Sequence, residues 1–103
     1  MAATPAMPEA AELAGEWWLL TAEGAECRLR LSTEDRALAA GSLAAPMMAV
    51  EGSCPEVYGL AGWRPVPLGL ELTDAQGFSL IGFEQVGEGQ YLSSTSRARL
   101  SRR

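Results

Sequence analysis

The residues of this chain that could do chemistry are few, and their types exclude most reactions. There is no histidine, so neither a Ser-His-Asp nor a Cys-His nucleophilic arrangement can be assembled. The two cysteines, Cys27 and Cys54, cannot complete a four-ligand structural zinc site without histidine. Most of the 13 carboxylates stand singly beside strands or in turns, Glu34-Asp35 and Glu16 read as solvated loop and strand positions, and nothing marks an acid with a neighbour that would tune it for acid–base work. The chain therefore reads as a non-enzyme with no cofactor and no metal of its own. What the cysteines can do is pair. Two in a small domain fit one disulfide, and hence an oxidising compartment such as the bacterial periplasm; two buried free thiols are the alternative. A bridge would close a loop of about 28 residues and stabilise the fold by roughly 3–4 kcal/mol in the chain-entropy model.

Charge narrows the partners. The formal net charge is −5, and all eight basic residues are arginine. That balance disfavours nucleic acid, whose binding rests on Lys and Arg neutralising phosphates. Arg97, Arg99, Arg102 and Arg103 gather near the C-terminus, where a solvated last strand explains them better than a phosphate site. With 103 residues, 48% hydrophobic and 20% charged, the composition is that of one ordinary globular domain. No apolar run approaches the ~20 residues of a membrane helix, so no membrane partner is expected. The first residues also lack the basic start and apolar stretch of a secretion signal, which predicts a chain that is cytosolic or already processed.

The elements that must position these residues read as strands. Cys27-Arg28-Leu29-Arg30-Leu31 alternates strictly, with Cys27, Leu29 and Leu31 on one face and the arginines on the other, the mark of a sheet buried on one side. Leu70 to Thr73 and Arg97 to Ser101 repeat the pattern; Phe78 to Phe83 and Gln90 to Ser93 are further β-rich segments, the first apolar on both faces. Thr21 to Ala25, Asp74 to Gly77 and Gly87 to Gly89 supply turns. The stretch from Leu38 to Gly52 is harder to read: Leu38 to Pro46 could hold a strand or two, weakened by alanine. Cys54 to Leu60 could form one helical turn, with Pro55 at its first position. Short strands with hairpin-length connections predict an all-β domain, and closure of eight antiparallel strands into an up-and-down barrel would remove exposed edges.

Ahead of the first strand lies an arm without any apolar period, residues 1–12, so the domain division is an extended arm over 1–12 and a barrel over 13–103. A frayed terminus is the plain reading of such an arm. From Gly15 the chain turns into a dense strand pattern. Trp17 and Leu19 share one face, Trp18 and Leu20 the other, and only one face can enter a single core. Because Leu20 leads into a polar turn, Trp17 and Leu19 are expected inside. Trp18 is then at least partly outside, a possible secondary contact residue, since Trp is enriched at binding hot spots.

Together these segments resemble the Inh-type inhibitors of serralysins, the secreted zinc metalloproteases also called alkaline proteases. The resemblance covers nearly the whole chain. It rests on Ala10-Ala11-Glu12-Leu13-Ala14-Gly15-Glu16-Trp17 at the entry to the first strand, on both cysteines in place, and on Gly62-Trp63-Arg64-Pro65-Val66-Pro67-Leu68-Gly69-Leu70. The last run is close to the family pattern G-W-R-P-x-P-x-G-L, in which Trp63, Arg64, Pro65, Pro67 and Gly69 are structural positions. Asp74, Gly77, Phe83 and Tyr91 follow in order.

The resemblance implies an eight-stranded barrel with one disulfide in the periplasm of a Gram-negative bacterium. It further implies a monomer forming a 1:1 complex with its protease. The arm residues Ala2, Ala3, Thr4, Pro5, Ala6 and Met7 would enter the protease cleft and reach the catalytic zinc. Family arms often begin with Ser, whereas this one reads Ala3-Thr4-Pro5-Ala6-Met7-Pro8; the resemblance does not fix which arm atoms would meet the metal, and backbone groups could do so. The alternative function is a small periplasmic barrel carrying an apolar ligand, which eight strands can enclose; against it, Trp17, Trp63, Phe83 and several leucines are bulky enough to fill the interior.

Overall fold

Strict alternation in the second strand sets the pattern that the molecule follows. In the computed structural model, which describes residues 8–102, Cys27, Leu29 and Leu31 are buried and Arg28 and Arg30 exposed, as a period of two requires. The element order is a short helix α1 (Ala10–Leu13) followed by eight strands: β1 (Gly15–Leu20), β2 (Glu26–Arg36), β3 (Met47–Gly52), β4 (Gly62–Val66), β5 (Gly69–Thr73), β6 (Ser79–Gly87), β7 (Gln90–Leu92) and β8 (Arg99–Ser101). Each strand pairs antiparallel with the next, and β1 also pairs with β8, closing an up-and-down barrel. Closure leaves no sheet edge. The arm positions Ala2, Ala3, Thr4, Pro5, Ala6 and Met7, and Arg103, lie outside the described residues.

The interior is packed with side chains. Trp17, Leu19, Trp63, Phe83, Leu72 and Leu100 are all at most 2% exposed. The register brings Trp17 opposite Leu29 and Leu19 opposite both Cys27 and Leu100, so the β1 face chosen by the polar turn is the inner one. Trp63 Nε1–H donates to the Ser32 carbonyl at 2.8 Å, satisfying the one polar atom that its burial would strand. The segment Phe78 to Phe83 carries apolar residues on both faces, as its sequence shows: Phe83 of β6 points in, while Leu80 of β6 and Phe78 just before the strand remain on the outside.

The residues around Trp63 make close contacts within the barrel. Arg64 pairs with Glu71 of β5 at 3.4 Å and donates to the Gly77 carbonyl, pinning the β5–β6 turn. Pro65 falls beyond the last β3–β4 pair, where a strand tolerates a residue without N–H. Pro67 precedes Leu68, which turns the chain at φ 69°. Gly69 is obligatory by space, because a Cβ there would lie 1.8 Å from the Phe83 carbonyl oxygen on β6.

Two local expectations are corrected. The helix is not in Cys54 to Leu60; that segment makes two successive turns, Val57 N–H to Cys54 O and Leu60 N–H to Val57 O, and Gly59 at φ 83° breaks any continuation. The helix lies instead at Ala10–Leu13, across the join between arm and barrel, where Ala-Ala-Glu-Leu are strong helix formers. From Leu38 to Gly52 only Met47–Gly52 becomes a strand. The alanine-rich part is a loop held to the β5–β6 turn by Ala39 N–H to Ala75 O and by the Ser42 hydroxyl donating to Gln76 O.

Candidate functional site: the arm root and the barrel mouth

α1 is too short to persist on helical hydrogen bonds alone. It is held by what it touches. Leu13 is buried in the core cluster with Ala10 packed beside it. The final carbonyls of a helix lack partners within it, and here two are taken by side chains from the barrel. Trp17 Nε1–H donates to Leu13 O at 2.7 Å, and the Arg102 guanidinium donates to Glu12 O. The same guanidinium lies 4.4 Å from the centre of the Trp17 ring, a cation–π stack. Its own backbone is fixed, since Arg102 N–H donates to Gly89 O at 2.9 Å in the β6–β7 turn.

Below this layer Tyr91 meets Trp17 edge to face, with centroids 5.4 Å apart and planes at 79°. Burial pushes the Tyr91 phenol above its ordinary pKa; the Arg102 charge acts against that shift and Glu12 adds to it. Around these groups opens a cleft of about 540 Å³ whose lining includes Pro8, Glu12, Glu88 and Arg102. It is a mouth of mixed charge next to the point from which the N-terminal chain departs.

Trp18 lies elsewhere, on the outer face of β1. It is half-buried, with the Arg28 guanidinium 5.9 Å from its ring centre. It lines an exterior cleft of about 350 Å³ with Leu20, Val86, Leu92 and Arg99. Cys27 and Cys54 are joined, with Cα atoms 5.5 Å apart, so the free-thiol alternative falls. The Glu56 carboxylate sits 3.5 Å from the Cys27 sulfur and 3.8 Å from that of Cys54. Bridged sulfurs are not thiolates, so this trio is no metal ligand set.

The structure therefore gathers Glu12, Leu13, Trp17, Tyr91 and Arg102 at the arm root. Leu13, Trp17 and Tyr91 share one core cluster with Cys27, Cys54 and Trp63, while Trp18 lies on the outer face of β1 in a cleft that Tyr91 also lines. Arg102 was not legible as a site residue: its partner Glu12 is 90 positions away, and its neighbours Arg97 and Arg99 suggest only an outward strand face. The one available signal was Trp17 itself, a buried indole that must find an acceptor.

The barrel is filled by its own aromatic and leucine side chains, which speaks against a carrier, and its clefts lie at one mouth and on its outside. Comparison with known proteins gives the kind of binder. Residues 7–101 match the family model described as protease inhibitor Inh. The chain belongs to this family of protease inhibitors. It is 38% identical over 85 residues to a proteinase inhibitor of Dickeya chrysanthemi, covering 82% of this chain and 68% of that protein. It is 35% identical over 96 residues to the alkaline proteinase inhibitor of Pseudomonas syringae pv. tomato, covering 88% of this chain and 68% of the relative.

Proposed function

We propose that the chain inhibits a secreted zinc metalloprotease of the serralysin type. In this reading it acts as a monomer in a 1:1 complex, with residues 2–7 in the active-site cleft. A catalytic zinc keeps one coordination position open for its water. An arm that fills this position displaces the nucleophile and presents no peptide bond correctly placed across the metal. Five extended residues reach about 16–18 Å, enough to line one side of a cleft. Pro5 and Pro8 favour an extended chain and lower the ordering cost of binding.

The observation that carries the reading is the anchored root. Leu13 is buried in the barrel, and the carbonyls of Glu12 and Leu13 are held by Arg102 and Trp17, so the chain ahead of them starts from a fixed point on a rigid body. Trp18 and its cleft supply a second contact area on the barrel, linked to the first through β1. The disulfide supports an oxidising setting, for which the periplasm of a Gram-negative bacterium is the proposed location.

The test is titration of a serralysin-type zinc protease with the full chain and with a chain lacking residues 2–7. The described strands begin at Gly15, so the deletion should leave the melting temperature nearly unchanged. Inhibition should weaken by orders of magnitude. Equal inhibition by the shortened chain would refute the arm mechanism.

A further inference from the structure

We propose that Arg102 is the positioning residue of the arm: by stacking on Trp17 and bonding the Glu12 carbonyl it locks α1 in the barrel mouth and sets the direction in which the N-terminal chain leaves. The inference rests on the arm reading above and adds a residue at the opposite end of the sequence.

The geometry assigns the role in three steps. First, the Arg102 backbone is held, following β8 directly after the Trp18–Ser101 pair and bonding Gly89 O. The guanidinium therefore springs from a fixed part of the sheet. Second, it makes two different contacts at once: its face covers the Trp17 ring at 4.4 Å, and its edge donates to Glu12 O. A planar guanidinium suits both contacts at once, whereas an ammonium can make the pair only with poorer geometry. Third, Arg102 and Trp17 take adjacent carbonyls, those of Glu12 and Leu13. The buried Leu13 side chain alone would act as a pivot. Two held carbonyls beside it remove the rotation.

Without the lock, α1 would spend part of its time turned away from the binding-competent direction. The apparent dissociation constant rises as the inverse of the competent fraction. Loss of a cation–π contact together with a hydrogen bond to a charged donor at an exposed site corresponds to roughly a tenfold effect or more. The barrel should be little affected, since its closure by β1 and β8 does not use the Arg102 side chain.

The experiment compares wild type, Arg102→Ala and Arg102→Lys, each with and without residues 2–7. Inhibition of a serralysin-type zinc protease is read alongside amide hydrogen exchange. In the full chain, Arg102→Ala should raise the inhibition constant about tenfold or more, and Arg102→Lys should recover part of it. The Leu13 and Ala14 amides, which bond Glu9 O and Ala10 O, should exchange faster while β2 amides keep their protection. In the shortened chain Arg102→Ala should leave residual binding unchanged.

Unchanged inhibition and exchange in the full-length Arg102→Ala chain would overturn the proposal. An equal loss in the shortened chain would also overturn it, because Arg102 would then act on the protease or on the barrel. Undiminished inhibition by the shortened wild type refutes the arm reading and with it this role. Strong loss on shortening with no effect of Arg102→Ala refutes Arg102 alone.

Discussion

Removing the Cys27–Cys54 bridge should cost this domain a large part of its stability, and the size follows from where the bridge sits. The cysteines are 27 positions apart and lie just beyond the Leu29–Gly52 pair, stapling the β2–β3 hairpin at the end opposite its long loop. In the native barrel that end is already held by strand pairing, so the bridge acts mainly on the unfolded chain. Loop closure of this length is worth about 3.5 kcal/mol at 25 °C in the chain-entropy model. Both cysteines are buried, and replacing them with alanine removes two sulfurs from the core, adding about 1 kcal/mol. The expected loss for Cys27→Ala/Cys54→Ala is thus about 4–5 kcal/mol, against the 5–15 kcal/mol typical of whole domains. Urea unfolding followed by tryptophan fluorescence measures it. Wild type in reductant, which keeps the sulfurs, should show the loop contribution alone, and both samples should have a steeper denaturant dependence because their unfolded chains are more expanded. A loss below about 1 kcal/mol with an unchanged slope would show that the unfolded chain is already constrained over this stretch, and the entropy argument would fail.

Gly69→Ala should destabilise the barrel by about 3 kcal/mol or more, or prevent folding, because the added Cβ meets the backbone of Phe83, whose pairing with Leu70 fixes it; equilibrium unfolding decides, and a near-neutral variant would refute the close approach. Tyr91 should make the fold sensitive to alkali. Its folded pKa is raised from 10.0 chiefly by burial, so the associated stability is present below about pH 10 and lost as pH rises through the folded value. The melting temperature of wild type should therefore fall relative to that of Tyr91→Phe above pH 10, and parallel curves would show that the phenol is not responsible.

The barrel was legible because its information is local. Cys27 to Leu31 and Trp17 to Leu20 declare their faces by alternation and by the polar turn after Leu20, and the structure places Trp17 and Leu19 inside accordingly. Eight strands with short connections leave closure as the simplest way to remove edges. The helix was misplaced because Pro55 is a real start signal, yet Gly59 and the exposed Tyr58 give the following residues no apolar face to bury. At Ala10–Leu13 propensity favours a helix, but four residues show no period, and only Leu13 reaches the core. Arg102 was hidden for a different reason: its role exists only once β8 has closed against β1, which no local pattern encodes. The arm root is therefore a product of topology, whereas the strands that frame it are products of sequence.

Closure also bears on how a protein of this family can survive beside a protease. Peptides commonly bind by adding an extended strand to an open sheet edge, and a barrel offers none. The long irregular segment between β2 and β3 is the obvious weak point, with Leu43 almost fully exposed. It is tied down on both sides of its turn, by Ala39 N–H to Ala75 O and by Ser42 to Gln76 O, and Arg64 in turn holds the same β5–β6 turn through Gly77 O. A segment fixed at these points cannot readily straighten into the extended form that cleavage needs. The Trp63-Arg64-Pro65 motif then has a purpose beyond filling the core. By bracing the turn against which the loop rests, it keeps this part of the barrel folded back.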